Sequence, residues 1–293
     1  MMSPHISTRI KLALNTILRP VGLELSTTLE KQIEAARINK LKSKGHWRIA
    51  RYDQGLLLNE SQWLEFLNDV CLPFQSDYNS FPIKADGRED EFYLDNGWFK
   101  SVDAEVLYCM LRHHQPRRVI EVGSGFSTRV MRRAIKDGLL ETKITSIDPH
   151  PNTEVPSYTD EYIKLPVEEV SLSNFVDELS ANDILFIDSS HTINTGGDIP
   201  YLFLEVLPRL KPGVFIHVHD IFLPSDYPER WVVEEWGWTE QYLVHAFLCY
   251  NHAFEILWPA CYMWQHHEAV VRSAIPTSLP DSSPSSLWMK KIG

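Results

Sequence analysis

The chain has 293 residues, of which 44% are apolar, so it can bury one large core or two small ones, as an ordinary soluble protein does. Its net charge of −11 argues against general nucleic-acid binding. No apolar run reaches the roughly 18 residues of a membrane span. The four cysteines show no paired spacing, which is typical of a reducing compartment. We therefore expect a cytoplasmic protein with no transmembrane segment and no nucleic-acid partner.

The N-terminal part differs from the rest of the chain in charge and pattern. Residues 1–51 carry ten Lys or Arg and three Glu, a net charge of +7. This favours a solvated helical extension, which could also touch an anionic membrane surface or an acidic partner, or support a homo-oligomer. Residues 52–95 are aromatic and irregular, and Pro73 and Pro82 interrupt any long element. We predict an accessory region over residues 1–95 and a main domain over 96–293.

Strands and helices alternate in the main domain. The predicted strands are RVIEV, KITSID, DILFID, VFIHVHD, AFEILWPACYM and SSLWMKKI, and helices such as STRVMRRAIKDG and TEQYLVHAFLCY lie between them. Nearly continuous apolar strands alternating with helices indicate a parallel sheet covered on both faces. The predicted fold class is therefore α/β.

A glycine loop follows the first predicted strand, in the segment VIEVGSGFSTRVMRRAI. Gly123 and Gly125 let the backbone turn tightly and approach a ligand. Ser127, Thr128 and the free amides at the start of the next helix can bind an anionic group. Asp148 ends the following strand, where a carboxylate can accept hydrogen bonds from ribose hydroxyls. Together these residues indicate an adenosine-containing cofactor, although Asp148 could also be a simple turn residue before a proline.

The loop resembles the glycine motif of class I S-adenosylmethionine-dependent methyltransferases, because Glu121 stands two residues before the first glycine. In that family the acid braces the glycine loop, and the loop faces the methionine end of the cofactor. The resemblance extends from about residue 101 to the C-terminus. It implies a Rossmann-like sheet whose last strand is antiparallel. It also implies that the amino-acid part of S-adenosylmethionine contacts Glu121, Gly123, Ser124, Gly125, Ser127 and Thr128. By the same resemblance Asp148 binds the ribose, and Val167 and Glu168 lie near the adenine.

Ionisable residues end two further predicted strands. The segment DILFIDSSHTINTGGD places Asp188 and His191 after one strand, and IHVHDIFLP places His219 and Asp220 after the next. Adjacent strand ends bring such groups together, and burying them without a partner or a metal is unfavourable. His217 lies on the same strand face as His219, and we interpret it as structural.

This arrangement resembles the metal-dependent small-molecule O-methyltransferases, most closely those that methylate sugar hydroxyls in macrolide tailoring. The resemblance implies His191 as the base, assisted by Asp188, and a divalent metal held by Asp188, His219 and Asp220. His219 departs from the pattern, which has an acid there, so Mg²⁺, Mn²⁺, Fe²⁺ and Zn²⁺ all stay open. Alternatively, His219 is a structural histidine and Asp220 caps a turn.

The predicted function is methylation of a hydroxyl on a sugar or another small molecule, at the expense of S-adenosylmethionine. The segment LPSDYPERWVVEEWGWTEQY could cover the acceptor with its aromatic side chains, or it could pack against the accessory region. Two other functions are open from the sequence. His191, His219 and a carboxylate could form the facial triad of a metal-dependent oxygenase, or the chain could be a binding protein that retains a cofactor pocket.

Overall fold

The computed structural model describes residues 4–21, 28–50, 52–85, 92–151 and 157–293. Its strands are β1 Arg118–Val122, β2 Lys143–Ile147, β3 Glu161–Ile163, β4 Ile184–Ile187, β5 Phe215–Val218, β6 Phe254–Pro259 and β7 Leu287–Lys291. Its α-helices are α1 Pro4–Leu18, α2 Thr28–Ser43, α3 Glu60–Phe66, α4 Gln75–Tyr78, α5 Asp103–His114, α6 Phe126–Gly138, α7 Ser173–Val176, α8 Asp198–Pro200, α9 Glu229–Val233, α10 Glu240–Leu248 and α11 Ala260–Ala274. Short π-helices follow α3 at Leu67–Cys71 and α8 at Tyr201–Val206.

The chain divides into two compact units. The smaller unit consists of Met1–Ile49 together with Pro228–Trp236, and it holds α1, α2 and α9. Within it, Lys42 Nζ lies 3.0 Å from Glu229 Oε1, and the rings of Trp231 and Trp236 stack with their centroids 4.5 Å apart. No helix in the described part of the chain combines the length and the apolarity that a membrane span needs.

The larger unit consists of Ala50–Tyr227 and Gly237–Gly293, and it contains the sheet. The seven strands run in the order β3-β2-β1-β4-β5-β7-β6. All neighbouring pairs are parallel except those of β7, which is antiparallel to both β5 and β6. The predicted α/β, Rossmann-like sheet with an antiparallel last strand is confirmed.

The strand register places the functional loops at one edge of this sheet. Val122 pairs with Ile147 on one side and with Ile187 on the other, and Ile187 pairs with Val218. The carboxyl ends of β1, β2, β4 and β5 therefore lie level. The chain runs from β1 outward to β2 and β3, and then returns to the other side of β1 at β4. This change of direction between β1 and β4 is the point where open α/β sheets bind ligands.

Two elements differ from the sequence prediction. The three-residue strand β3 was missed, because a short edge strand with Glu161 and Tyr162 has no apolar run to reveal it. The predicted strand AFEILWPACYM ends at Pro259, and Ala260 begins α11 instead. A proline cannot donate a ladder hydrogen bond, so the change from strand to helix at this residue is physically reasonable.

Residues that precede the predicted boundary at position 95 pack into the core of the larger unit. Trp63, Tyr78 and Leu94 are fully buried in the same apolar cluster as the sheet. Trp63 Nε1 donates to Ile256 O at 2.9 Å, and Tyr78 Oη donates to Ala274 O at 2.6 Å. Packing thus separates the units between positions 49 and 50. The division into functional domains at residue 95 stays a prediction.

Candidate active site

A cavity of about 990 Å³ opens at the carboxyl ends of the parallel strands. Its first end is formed by the loop after β1 and by residues that follow β2 and β3, namely Gly123, Ser124, Gly125, Phe126, Ser127, Asp148, Pro149, His150, Pro166, Val167 and Glu168. Its second end is formed by residues after β4 and β5 and by two aromatic segments, namely Trp98, Phe99, Asp188, Ser189, Ser190, His191, Asp198, His219, Asp220 and Trp238. One cavity therefore joins the predicted cofactor loop to the predicted catalytic residues.

The two glycines of the loop are required for different reasons. Gly123 has φ of 81°, and a Cβ built on it would lie 1.8 Å from the carbonyl oxygen of Asp188. A side chain there is excluded by both backbone conformation and space. Gly125 is extended at φ 172°, and a Cβ on it would meet no atom within 4 Å. Its missing side chain leaves room beside the start of α6, as a bound ligand requires.

Glu121 braces this loop from below. Its carboxylate accepts hydrogen bonds from Ser127 Oγ, Thr128 Oγ1 and Ser146 Oγ, each at 2.7 Å. Thr128 Oγ1 in turn accepts the amide of Gly125 at 3.1 Å. Burial raises the pKa of Glu121 to about 7, although the three hydroxyl donors lower it. Glu121 and Thr128 are fully buried and are not among the cavity-lining residues, so they position the loop rather than face the ligand.

Asp148 lines the cavity beside the loop, where the sequence predicted the ribose site. Its Oδ2 accepts from the amide and the hydroxyl of Ser124, at 3.1 and 2.7 Å, and its Oδ1 accepts from the amide of His150 at 2.8 Å. The contact with the amide of His150 is that of a turn residue, the alternative role that the sequence left open for Asp148. Each carboxylate oxygen has two lone pairs, so these contacts orient Asp148, fill the capacity of Oδ2 and leave one lone pair on Oδ1 for a ligand hydroxyl. Glu168 lies on a short 3-10 turn at the same end.

His191 lies at the centre of the second end. Its Nε2 is 3.3 Å from Asp188 Oδ1 and 3.7 Å from Asp220 Oδ2, and its Nδ1 is 2.9 Å from Glu240 Oε2. The imidazole packs against Trp238, with ring centroids 4.2 Å apart. His191 and Asp220 both have left-handed backbone conformations, with φ near 56° and 57°. Non-glycine residues rarely adopt this conformation, and it is concentrated at functional sites.

His219 occupies a neighbouring, buried position. Its Nδ1 lies 3.4 Å from Asp220 Oδ1, its Nε2 lies 3.8 Å from Asp103 Oδ2, and its ring packs 5.0 Å from that of Phe99. Asp103 is held by the backbone amides of Ser285 and the following serine. His217 stacks on Phe186 inside the sheet core, which agrees with its predicted structural role.

The charges at the second end are strongly coupled. Burial lowers the pKa of His219, but Asp220 and Asp188 outweigh it and raise this pKa to about 9. Burial likewise opposes protonation of His191, yet Asp188 and Glu240 raise its pKa well above the usual value. Although burial raises the pKa of Asp188, His219 and His191 hold it below its usual range. The carboxylates therefore stabilise positive charge here, and either protons or a cation can supply it.

The side chains that converge on a possible metal position differ from the predicted set of ligands. Among the described residues, Asp188, His191 and Asp220 each bring one ligand atom within 4.8 Å of the others. His219 is not part of this group, so its predicted role as a ligand has no support from this convergence. The oxygenase alternative needs two histidines and one carboxylate on one ion, whereas two carboxylates and one histidine converge here. A donor set of two carboxylates and one imidazole suits a divalent cation.

Several cavity residues were not identified from the sequence. Trp98 and Phe99 come from the segment before α5, and Asp198 accepts the amide and hydroxyl of Ser190 at 2.9 and 2.8 Å. The aromatic segment WGW gave a signal for Trp238, which does line the cavity. Glu240 had no signal, because it contacts His191 across 49 positions of the chain. Long-range contacts of this kind are invisible to local patterns.

The predicted aromatic cover separates into parts. Trp238 lines the cavity, whereas Tyr227 is buried and is not among the residues that line it. Tyr242 is partly exposed, with its hydroxyl 2.5 Å from Asp226 Oδ1. Trp231 and Trp236 belong to the smaller unit. Trp238 therefore lines the cavity, and a role of these aromatic residues in covering an acceptor stays a prediction.

Comparison with known proteins supports a methyltransferase over part of the chain. The family model described as a methyltransferase domain matches residues 120–221. An uncharacterized protein of Archaeoglobus fulgidus is 32% identical over 90 residues, which are 29% of this chain and 41% of that protein. The chain thus matches less than half of the length of this curated relative.

Solved structures give more distant similarities. An SAH-bound Podospora anserina methyltransferase, PaMTH1, covers 93% of this chain and is itself covered completely, at 14% identity and a TM-score of 0.41. The MycE methyltransferase of the mycinamycin biosynthetic pathway, in complex with Mg, SAH and mycinamycin VI, covers 62% of this chain and is covered over 46%, at 18% identity and a TM-score of 0.34.

The site and the family model agree on the same segment. The glycine loop, the brace at Glu121, the strand-end carboxylates and His191 all lie within the matched residues, on a sheet of the predicted topology. The predicted resemblance to class I methyltransferases is thus supported by the match of residues 120–221 to a methyltransferase domain.

Proposed function

We propose that this protein transfers a methyl group from S-adenosylmethionine to a hydroxyl oxygen of a small molecule, such as a sugar or a natural product. The observation that carries the proposal is the single cavity. It joins the braced glycine loop and Asp148 at one end to His191 and two carboxylates at the other. The match of residues 120–221 to a methyltransferase domain supports the same reaction class.

The residues at the first end fit the cofactor. The open space beside Gly125 admits close approach to the backbone at the start of α6, whose first amides can bind the carboxylate of the methionine part. Asp148 keeps one lone pair on Oδ1, which can accept a hydrogen bond from a ribose hydroxyl, and Glu168 lines the same end of the cavity, where we expect the adenine. S-adenosylmethionine, when bound, supplies a methyl group that its sulfonium makes electrophilic.

The residues at the second end activate the acceptor. An alcohol is a poor nucleophile at neutral pH, so its proton must be removed as the methyl group arrives. Because the carboxylates raise the pKa of His191, the base is the neutral form of its ring, which can accept that proton at Nε2 on the cavity side. Asp188 orients the imidazole and stabilises the positive charge that forms on it. Trp238 packs on the imidazole and offers an apolar face to a ring-shaped acceptor. The acceptor oxygen thus gains the methyl group and loses its proton to His191.

Asp188 and Asp220 are the residues that would hold a divalent cation, with His191 as the third convergent group. A cation bound there would lower the pKa of a coordinated hydroxyl. Such a cation would also replace the protons that the carboxylates otherwise stabilise on the two histidines. The proposed mechanism keeps His191 as the base, as the sequence predicted. Measuring the metal content of His191 variants separates this role from that of a ligand.

The test of the cofactor site is Asp148→Asn, with Asp177→Asn as the matched control at an exposed position outside the cavity. Loss of one charge-assisted hydrogen bond costs about 1.5 to 3 kcal/mol, so affinity for S-adenosylmethionine should fall roughly 10- to 100-fold. Isothermal titration calorimetry measures this affinity for both variants. Unchanged affinity in Asp148→Asn would place the cofactor elsewhere. Formation of S-adenosylhomocysteine with a panel of hydroxylated acceptors then tests the reaction itself.

A further inference from the structure

The feature of interest is the buried contact between His191 and the start of α10. Glu240 Oε2 lies 2.9 Å from His191 Nδ1, and the side chain of Glu240 is fully buried. Glu240 is not among the residues that line the cavity. It therefore touches the ring of His191 from the side opposite to the cavity. No role was predicted for Glu240 from the sequence.

The backbone holds the same two segments together. The carbonyl oxygen of His191 accepts the amides of Thr239 and Glu240, at 2.9 and 3.0 Å, and Thr239 Oγ1 accepts the amide of Ile193 at 2.9 Å. These three hydrogen bonds fix the loop after β4 to the first turn of α10. They also account for the left-handed backbone of His191, because the surroundings determine a conformation that the residue would rarely adopt alone. The imidazole and the carboxylate thus have a fixed relative position.

The contact also determines which ring nitrogen carries the proton on a neutral imidazole. An ionised carboxylate only accepts hydrogen bonds, and His191 faces one at each nitrogen: Glu240 Oε2 lies 2.9 Å from Nδ1, and Asp188 Oδ1 lies 3.3 Å from Nε2. The shorter contact is on Nδ1, so on a neutral ring Nδ1 keeps its proton and Nε2, on the cavity side, is the nitrogen that gives its proton up. A carboxylate on the far nitrogen of a catalytic histidine selects the tautomer in this way.

Burial of Glu240 supports a specific role. Its second oxygen, Oε1, makes no hydrogen bond within the described residues. A buried carboxylate with a single side-chain partner is unfavourable for folding, since replacing it with an apolar residue would be neutral or stabilising. Glu105 is similar: it is fully buried and its Oε2 also makes no hydrogen bond within the described part. Its partners are the hydroxyls of Ser101 and Thr277, outside the cavity. The two residues therefore form a natural comparison.

We propose that Glu240 is a positioning residue which holds the imidazole of His191 in one orientation and one tautomer, with Nε2 directed at the acceptor oxygen. This proposal rests on the proposed role of His191 as the base. Glu240 itself touches neither the acceptor nor the cofactor. Its effect on the reaction passes entirely through His191.

The experiment is a double-mutant cycle with Glu240→Gln and His191→Ala, with Glu105→Gln as the matched control. Glu240→Gln should lower kcat about 10- to 100-fold, the range typical of a lost orienting partner, while KM for both substrates stays within twofold. In the His191→Ala background the same change should have no further effect on kcat, because the residue through which it acts is gone. Glu105→Gln should leave kcat unchanged.

A second measurement is independent of catalysis. Nitrogen-15 NMR of histidine-labelled protein, recorded at alkaline pH where the ring of His191 is neutral despite its raised pKa, distinguishes a protonated Nδ1 from a protonated Nε2, with His191→Gln used to assign the signal. Wild type should show Nδ1 protonated and Nε2 unprotonated, and Glu240→Ala should shift the proton toward Nε2. An unchanged tautomer in Glu240→Ala, or an equal loss of kcat in the His191→Ala background, would overturn the proposal. A tautomer change in a protein whose wild type transfers no methyl group would support the positioning role and refute the proposed function instead.

Discussion

The brace beneath the glycine loop gives a prediction with a sign and a magnitude. Glu121 is fully buried and accepts one hydroxyl hydrogen bond on Oε1, from Ser127, and two on Oε2, from Thr128 and Ser146. Two substitutions separate its shape from its charge. Glu121→Gln keeps the size and can still pair with all three hydroxyls, because its carbonyl can accept two and its amide can donate to the third. Glu121→Ala removes every partner.

Glu121→Ala should be strongly destabilising. The hydroxyls of Ser127, Thr128 and Ser146 are all buried, and each loses its acceptor. A hydrogen bond of this kind contributes about 1 kcal/mol, so the free energy of unfolding should fall by about 3 kcal/mol, before any contribution from the cavity left behind. The glycine loop would lose its support, so affinity for S-adenosylmethionine should fall as well.

The charge of Glu121 makes a separate contribution that depends on pH. Burial raises its pKa from 4.5 to about 7 in the folded protein, so the folded state keeps a proton that the unfolded state releases between these values. Stability from this group is therefore present below pH 4.5 and is lost as pH rises through 7. Between pH 5 and pH 8 the loss amounts to about 2 to 3 kcal/mol. The free energy of unfolding of Glu121→Gln should not show this decrease, because glutamine does not titrate.

The assay is urea unfolding of wild type and Glu121→Gln at a series of pH values from 5 to 8. The difference in unfolding free energy between the two proteins cancels the contributions of other titrating groups. It should move by about 2 to 3 kcal/mol in favour of Glu121→Gln as pH rises. A difference that stays constant across this range would refute the assignment of a raised pKa to Glu121. A change of the opposite sign would show that the carboxylate is the stabilised form.

The remaining predictions concern the loop and the catalytic end. Gly123→Ala should destabilise the fold by about 2 kcal/mol or more, because its Cβ meets the carbonyl oxygen of Asp188 at a positive φ; thermal unfolding measures this loss. Gly125→Ala should fold normally and bind S-adenosylmethionine more weakly, which calorimetry measures. A chelator should abolish methyl transfer, and Mg²⁺ or Mn²⁺ should restore it; activity that survives chelation would exclude a catalytic metal. Asp220→Asn should lose both metal and turnover while retaining its left-handed backbone, which asparagine tolerates, so that metal analysis and kinetics agree. His191→Ala should keep metal and cofactor and lose about 10²-fold in the single-turnover rate, and a loss of metal would make it a ligand instead.

Much of this architecture follows from local sequence patterns. The apolar strands, the glycine turn and the alternation with helices are properties of short segments, and they predict six of the seven strands observed in the sheet. Short or polar elements such as β3 were missed because they lack such a pattern. The placement of Asp148, Asp188, His191 and Asp220 on one cavity also followed from sequence, since each ends a parallel strand or begins the loop after it.

Tertiary structure decided the roles of side chains that meet across the chain. The resemblance implied that Glu121 braces the loop and that Glu121 and Thr128 also contact the cofactor; their burial outside the cavity lining fits the brace, and it adds Thr128 to it. The group that converges with Asp188 and Asp220 contains His191 and not His219, whose two ring nitrogens lie against Asp220 and the buried Asp103. Glu240 reaches His191 only because α10 packs its first turn on that loop. Strand-end position is encoded locally, but the direction of a side chain at that end depends on packing between segments far apart in sequence.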